Sequence, residues 1–74
     1  MASRYNIIYA MTNQGNYYVK SVSETKQTIE FTQDIYQARR FPLDFYKASA
    51  WVDKLTTFPI SLQNGYCFAM ETVC

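Results

Sequence analysis

The sequence predicts an α+β domain, a small antiparallel sheet with two helices packed on one face. Three observations support this class. Apolar residues alternate with period two near both ends of the chain, and they recur every three or four positions in its middle. The 74 residues suffice for one domain, 1–74. Strands at both ends with helices between them give the order β-β-β-α-α-β-β, which favours a sheet covered on one side.

Three strands are predicted in the first half of the chain, over residues 4–11, 17–22 and 28–32. In the first of them, Tyr5 and Tyr9 share a face with Ile7, so both rings are expected in the core or at its edge. A short loop that contains Gly15 separates the first two strands, which favours a hairpin.

Two helices are predicted in the middle, over residues 33–40 and 45–57. Thr32 is the expected N-cap of the first helix, which Pro42 ends by forcing Phe41 into extended geometry. Asp44 is the expected N-cap of the second. The second helix carries one apolar stripe at spacings of three and four, expected to face the sheet: Phe45, Ala48, Trp51, Val52 and Leu55.

The chain is predicted to close with a second hairpin. Asn64-Gly65 tolerates the positive φ angles of a type I′ turn, and it lies between alternating segments at 60–63 and 66–72. We expect the last strand to pair near the first, although the sequence does not fix the strand order.

The sequence contains no recognisable catalytic or cofactor-binding motif. The chain has no histidine, the commonest general base and metal ligand. Cys67 therefore lacks a base that would make it a nucleophile, and two cysteines alone cannot close a zinc site. The two glycines are fifty residues apart, so they form no phosphate loop. We expect a protein that is not an enzyme and needs no cofactor.

The composition favours a cytoplasmic protein. Residues 1–6 lack the charge and apolar pattern of a signal peptide, and no apolar run is long enough for a membrane span. Cys67 and Cys74 are expected to be reduced thiols. The net charge of +1 argues against an obligatory polyanion binder.

Seven tyrosines point instead to recognition, because tyrosine supplies rigid, half-polar contact surface. Tyr36 and Tyr46 lie off the apolar stripes of their predicted helices and are expected to be exposed. Arg39 and Arg40 suit a carboxylate-rich or phosphate-bearing partner, or simply complement the helix dipole. Tyr36 and Arg40 are four positions apart, so one helical face would carry both.

Two alternatives to a protein-binding module remain open. A binder of single-stranded nucleic acid would use Tyr18, Lys20, Arg39 and Arg40, although neighbours such as Tyr17 and Tyr18 point to opposite faces of a strand. A self-assembling structural subunit would associate through a sheet edge. The sequence is compatible with a monomer or a homodimer.

Two segments resemble a pattern found in small accessory proteins of phages and prophages of Gram-positive bacteria. They are 31–41 (FTQDIYQARRF) and 48–55 (ASAWVDKL), and the similarity extends over residues 5–57. The resemblance implies a protein that acts in the host cytoplasm by binding and inhibiting a host protein, such as a CRISPR nuclease or another defence protein. That class has no shared catalytic motif, so the resemblance assigns no functional residue.

Overall fold

The structure, a computed structural model, describes residues 4–73, which form four strands, one 3-10 turn and two α-helices. In chain order the elements are β1 (Tyr5–Thr12), β2 (Gly15–Ser23), β3 (Thr28–Thr32), the 3-10 turn (Ile35–Gln37), α1 (Phe45–Thr56), α2 (Pro59–Asn64) and β4 (Cys67–Val73). The strands form one antiparallel sheet in the order β3-β2-β1-β4. The predicted fold class is confirmed, and the last strand pairs with the first.

The hydrophobic core lies between one face of the sheet and the two helices. Ile8 of β1 and Val19 of β2 are fully buried there against Leu55 of α1 and Phe58. Trp51 is half-buried and packs against the same cluster. Burial of such large apolar side chains is the main favourable contribution to folding, roughly 1.5–3 kcal/mol for each.

The opposite face of the sheet, which we call the open face, carries tyrosines. Tyr9 lies opposite Tyr18 across the β1–β2 pair, with ring centroids 5.9 Å apart in an edge-on arrangement. Ile7 lies between Tyr5 and Tyr9 on this face and is fully buried, while both tyrosines are half-buried. Tyr17 pairs with Ala10 and so faces the other way, as strand alternation predicts.

The predicted helix over 33–40 is wrong apart from the single 3-10 turn. Asp34, not Thr32, caps this turn by accepting a hydrogen bond from the backbone of Tyr36, and the chain becomes extended at Ala38. The cause is that β2 pairs with only the second half of β1 and leaves a gap beside the first half. The β1–β2 register covers only Tyr9–Thr12 of β1, and the chain after Ala38 enters the space beside the first half of that strand.

Backbone hydrogen bonds hold the inserted segment in that gap. The N–H of Arg39 donates to the carbonyl of Val19 at 2.8 Å, and Phe41 forms an antiparallel bridge with Asn6. These bonds satisfy strand groups that β2 leaves unpaired, and buried backbone groups without partners are costly. The extended geometry expected for Phe41 before Pro42 is what this pairing requires.

The prediction for α1 is confirmed at its start and wrong for one residue of its stripe. The Asp44 carboxylate accepts hydrogen bonds from the backbone of Tyr46 at 2.9 Å and of Lys47 at 3.2 Å. Ala48 and Leu55 are buried, as their spacing predicts. Phe45, the first residue of the helix, is 64% exposed, whereas the α1 side chains that pack with the core cluster are Trp51, Val52 and Leu55.

The predicted strand over 60–63 and its type I′ turn are wrong, because this segment forms α2. Pro59 occupies the first turn, where its missing N–H costs nothing. Gly65 ends the helix in the left-handed region at φ +63°. The buried hydroxyl of Ser61 donates to the carbonyl of Leu55 at 2.7 Å, which ties α2 to α1. Tyr66 packs against Phe31 instead of forming a hairpin.

Candidate protein-binding site

A buried asparagine links the sheet to the loop before α1. Asn6 is 4% exposed, and its side-chain amide donates to the carbonyl of Pro42 at 3.0 Å and to that of Leu43 at 3.4 Å. The side-chain carbonyl oxygen of Asn6 accepts a hydrogen bond from the Thr72 hydroxyl at 2.6 Å. With the backbone bridge to Phe41, these bonds fix the loop against both β1 and β4.

This fixed loop and the first turn of α1 together present three large apolar side chains to solvent. We call Leu43, Phe45 and Tyr46 the apolar corner; they are 51%, 64% and 82% exposed. The Phe45 and Tyr46 rings contact each other edge-on with centroids 5.9 Å apart. Asp44, which lies between Leu43 and Phe45 in the sequence, caps the first turn of α1. Exposed apolar residues are ordinary when scattered, but a cluster on a rigid segment is typical of interaction sites.

A shallow apolar groove follows α1 from the apolar corner. Pro42, Ala50 and Trp51 supply its apolar surface, and Lys47 and Lys54 lie along it two helical turns apart. The Lys54 ammonium is 4.9 Å from the centroid of the Trp51 ring. A partner that offers both apolar and carboxylate side chains would complement this groove.

An ion pair lies beside the groove. The Lys54 ammonium donates to the Glu24 carboxylate at 2.6 Å, joining α1 to the β2–β3 loop. This hydrogen bond, together with the charge of Lys54, lowers the pKa of Glu24, and Arg39 adds a weaker attraction. Both side chains are at least half exposed, so the pair contributes little to stability.

The two arginines predicted as one anchor point to opposite sides of the sheet. The Arg39 guanidinium lies 4.6 Å from the centroid of the Trp51 ring and 5.0 Å from that of Phe41, on the helix side. Arg40 lies 4.6 Å from the centroid of the Tyr5 ring, on the open face. Because the segment is extended, successive side chains alternate. Arg39 is therefore a packing residue as well as a surface charge.

The candidate site residues Tyr36, Arg39, Arg40 and Tyr46 do not share one surface, because Arg39 and Arg40 point to opposite sides of the sheet. Tyr36 is 94% exposed on the 3-10 turn, and within residues 4–73 its ring contacts no other aromatic ring. It does not share a helical face with Arg40, because the α-helix expected there is absent. The exposure predicted for Tyr36 and Tyr46 is confirmed.

Tyr18 and Lys20 lie on β2, away from the apolar corner. The Tyr18 ring contacts Tyr9 on the open face, and the exposed Lys20 lies at a register shift between β2 and β3. The register also places Glu30 and Glu71 on the open face. Positive and negative side chains therefore mix on this surface.

Neither a metal-ligating cluster nor a membrane-spanning helix is found in the described part of the chain. Residues 4–73 contain no group of three or more metal-ligating side chains, and no helix there is long and apolar enough to cross a membrane. Cys67 is a free, exposed thiol at the start of β4, and Cys74 lies outside the described residues.

Comparison with protein-family models, with curated proteins and with solved structures finds no match for this chain.

Sequence reasoning missed two members of the apolar corner and the residue that fixes it. Phe45 was assigned to the core by its helical spacing, and Leu43 carried no periodic signal. Asn6 reads as an ordinary polar position in an alternating strand. Its contacts with Pro42 and Leu43 span more than 35 positions, so no local pattern could reveal them.

Proposed function

We propose that this chain is a non-enzymatic protein-binding module whose apolar corner occupies a surface of a partner protein. The observation that carries this proposal is the exposure of Leu43, Phe45 and Tyr46 where the loop fixed by Asn6 enters the first turn of α1. A rigid segment loses little conformational freedom on binding, so more of its contact energy appears as affinity.

The types of residue in the apolar corner support a protein partner. Tyrosine is enriched among the residues that dominate binding energy, and large apolar side chains fill pockets at the centre of interfaces. Lys47 beside the neighbouring groove favours a partner with a carboxylate near its apolar contact, whereas the charge of Lys54 is already matched by Glu24. Tyr46 keeps the role predicted from the sequence, and Phe45 joins it.

Single-stranded nucleic acid is the weaker alternative. It would use the open face, where Tyr9 and Tyr18 could stack on bases near Arg40. Two facts count against it. Glu30 and Glu71 share that face, and Arg39 lies on the other side of the sheet. Binding to mixed oligonucleotides at low salt would revive this alternative.

The resemblance to phage accessory proteins suggests where to search for the partner. It favours a host protein in the cytoplasm, with defence proteins as the first candidates. Inhibition of such a protein would need no catalytic group, since the bound module need only cover a functional surface.

The test compares tagged baits in a lysate of a Gram-positive host. Wild-type protein is compared with Phe45→Ala/Tyr46→Ala, and Tyr36→Ala serves as control because Tyr36 is even more exposed. We expect the wild-type and control baits to recover the same stoichiometric partner, and the double variant to lose it. Equal recovery by all three baits would contradict the assignment of the apolar corner.

A further inference from the structure

The two edges of the sheet differ in how well they are protected against pairing with another strand. β3 has five residues, carries Glu30 near its centre and pairs with β2 through a register shift. β4 has seven residues, one charge and no proline, and its register with β1 is regular. Natural sheets protect their edges with short strands, charges, prolines or bulges, and β4 has few of these devices.

The hydrogen bonds of Asn6 show which backbone groups of β4 point away from the sheet. Both the N–H and the carbonyl of Asn6 bond to Phe41, on the side of β1 opposite β4. Asn6 and Thr72 are therefore a pair without mutual backbone hydrogen bonds. Because direction alternates along an antiparallel ladder, the backbone groups of Phe68, Met70 and Thr72 all point outward.

These outward groups are arranged symmetrically about Met70. Within residues 4–73, none of the three residues forms a backbone hydrogen bond to another element on that side. A second β4 strand, antiparallel and centred on the same residue, would place Met70 opposite Met70 and Phe68 opposite Thr72 of the other copy. All six outward N–H and carbonyl groups would then be paired, as in an ordinary antiparallel ladder.

The side chains of β4 are compatible with this register. On the helix side, Phe68 and Met70 would meet Thr72 and Met70 of the second copy. On the open face, Ala69 would lie opposite Glu71. The two Glu71 residues would be diagonal neighbours with Cα atoms about 7–8 Å apart, so like charges would not face each other directly.

We propose that two copies of this chain associate through β4, joining their sheets into one continuous antiparallel sheet with a two-fold axis at Met70. A second copy presents the same outward groups in register, and the register sets Ala69 opposite Glu71, so that no like charges oppose each other directly. This inference does not depend on the apolar corner, which lies at the start of α1.

Register-specific cross-linking tests the pairing in the full chain. Met70→Cys is placed in a Cys67→Ser/Cys74→Ser background, so that the new thiol is the only one. In the proposed register its two Cα atoms are about 5.5 Å apart, which a disulfide can span. The matched control keeps Cys67 and carries Cys74→Ser. Its two thiols would be separated by six strand positions, about 20 Å.

We expect mild oxidation to give a covalent dimer of the Met70→Cys protein much faster than of the Cys67 control. Equal rates for the two proteins, or no dimer of the Met70→Cys protein while circular dichroism shows it folded, would contradict the register.

Charge substitutions at Ala69 provide a second test that does not depend on Met70→Cys folding. Ala69→Lys would lie opposite Glu71 of the other copy and should tighten the dimer. Ala69→Glu would put like charges opposite each other twice and should weaken it, with a difference of about tenfold in Kd between the two variants.

Sedimentation equilibrium over a concentration series measures the dimer in the wild-type protein and in both variants. A wild-type protein that stays monomeric up to millimolar concentration would overturn the proposal, as would identical association of the Lys and Glu variants.

Discussion

The side-chain amide of Asn6 and the carbonyl of Pro42 are 36 positions apart in sequence and 3.0 Å apart in the structure. This hydrogen bond joins the first strand of the sheet to the loop that begins α1. It connects the fold to the proposed function, because this loop and the helix turn that follows it carry the exposed apolar corner.

Substitution of Asn6 should therefore destabilise the fold and loosen the corner. Asn6→Ala removes the two hydrogen bonds to the loop and the one from Thr72, all of them partly buried, so we expect a loss of about 1–3 kcal/mol in the free energy of unfolding. Urea denaturation measures it, with the exposed Asn16→Ala as a matched control. Equal unfolding midpoints for the two variants would show that the Asn6 bonds contribute nothing.

Arg39 should contribute to stability through its contact with Trp51. The guanidinium lies over the indole ring, and a partly desolvated cation–π contact contributes about 1 kcal/mol. We expect Arg39→Ala to lower stability by about that amount, and Arg40→Ala, at an exposed position, to lower it less. A double-mutant cycle with Trp51→Leu isolates the contact, and a coupling energy near zero would contradict the assignment.

The carboxylate of Glu24 should titrate below its ordinary range while Lys54 is present. A folded-state pKa that is lowered gives stability above the unfolded pKa, and that stability is lost as the pH falls through the folded value. We expect Lys54→Met to raise the pKa of Glu24 toward its ordinary value, as measured by NMR titration of the side-chain carboxyl carbon. High salt should also raise the pKa of Glu24, because the ion pair is exposed to solvent and salt screens it. A pKa unchanged by Lys54→Met would refute the pairing.

The left-handed backbone at Gly65 should resist substitution. Gly65→Ala introduces a Cβ at φ +63° with no neighbouring atom within 4 Å, so its cost is purely conformational. We expect a loss of about 1–2 kcal/mol for Gly65→Ala and a smaller loss for Gly65→Asn, because asparagine tolerates this region better. Thermal unfolding compares the two variants, and an alanine variant at least as stable as the asparagine variant would contradict the helix end assigned here.

The sequence predicted those elements whose signals are local. Asp44 caps α1 because a carboxylate can reach the first backbone amides of its own turn, and that requires no other part of the chain. The alternation of polar and apolar residues over 28–32 likewise predicted β3. These are short-range relationships between neighbouring residues.

The errors arose where distant parts of the chain compete with local preference. Residues 39–41 become extended because β1 and β2 separate and leave backbone groups to be paired, a fact about the whole sheet. Asn64-Gly65 suits both a type I′ turn and a helix end, and packing of Ser61 against Leu55 favours the helix. Phe45 was wrongly assigned to the core for the same reason, since helical spacing alone cannot tell whether the first residue of a helix reaches the core.

The comparison that tests the central claim most directly uses the partner recovered by the wild-type bait, with affinity measured for wild type, Phe45→Ala/Tyr46→Ala and Tyr36→Ala. Removal of two side chains at the centre of an interface should cost at least about 2 kcal/mol, so we expect Kd to rise at least ~30-fold for the double variant. Tyr36→Ala should leave Kd nearly unchanged. An affinity that is the same for the double variant and for wild type, with both folded, would contradict the account.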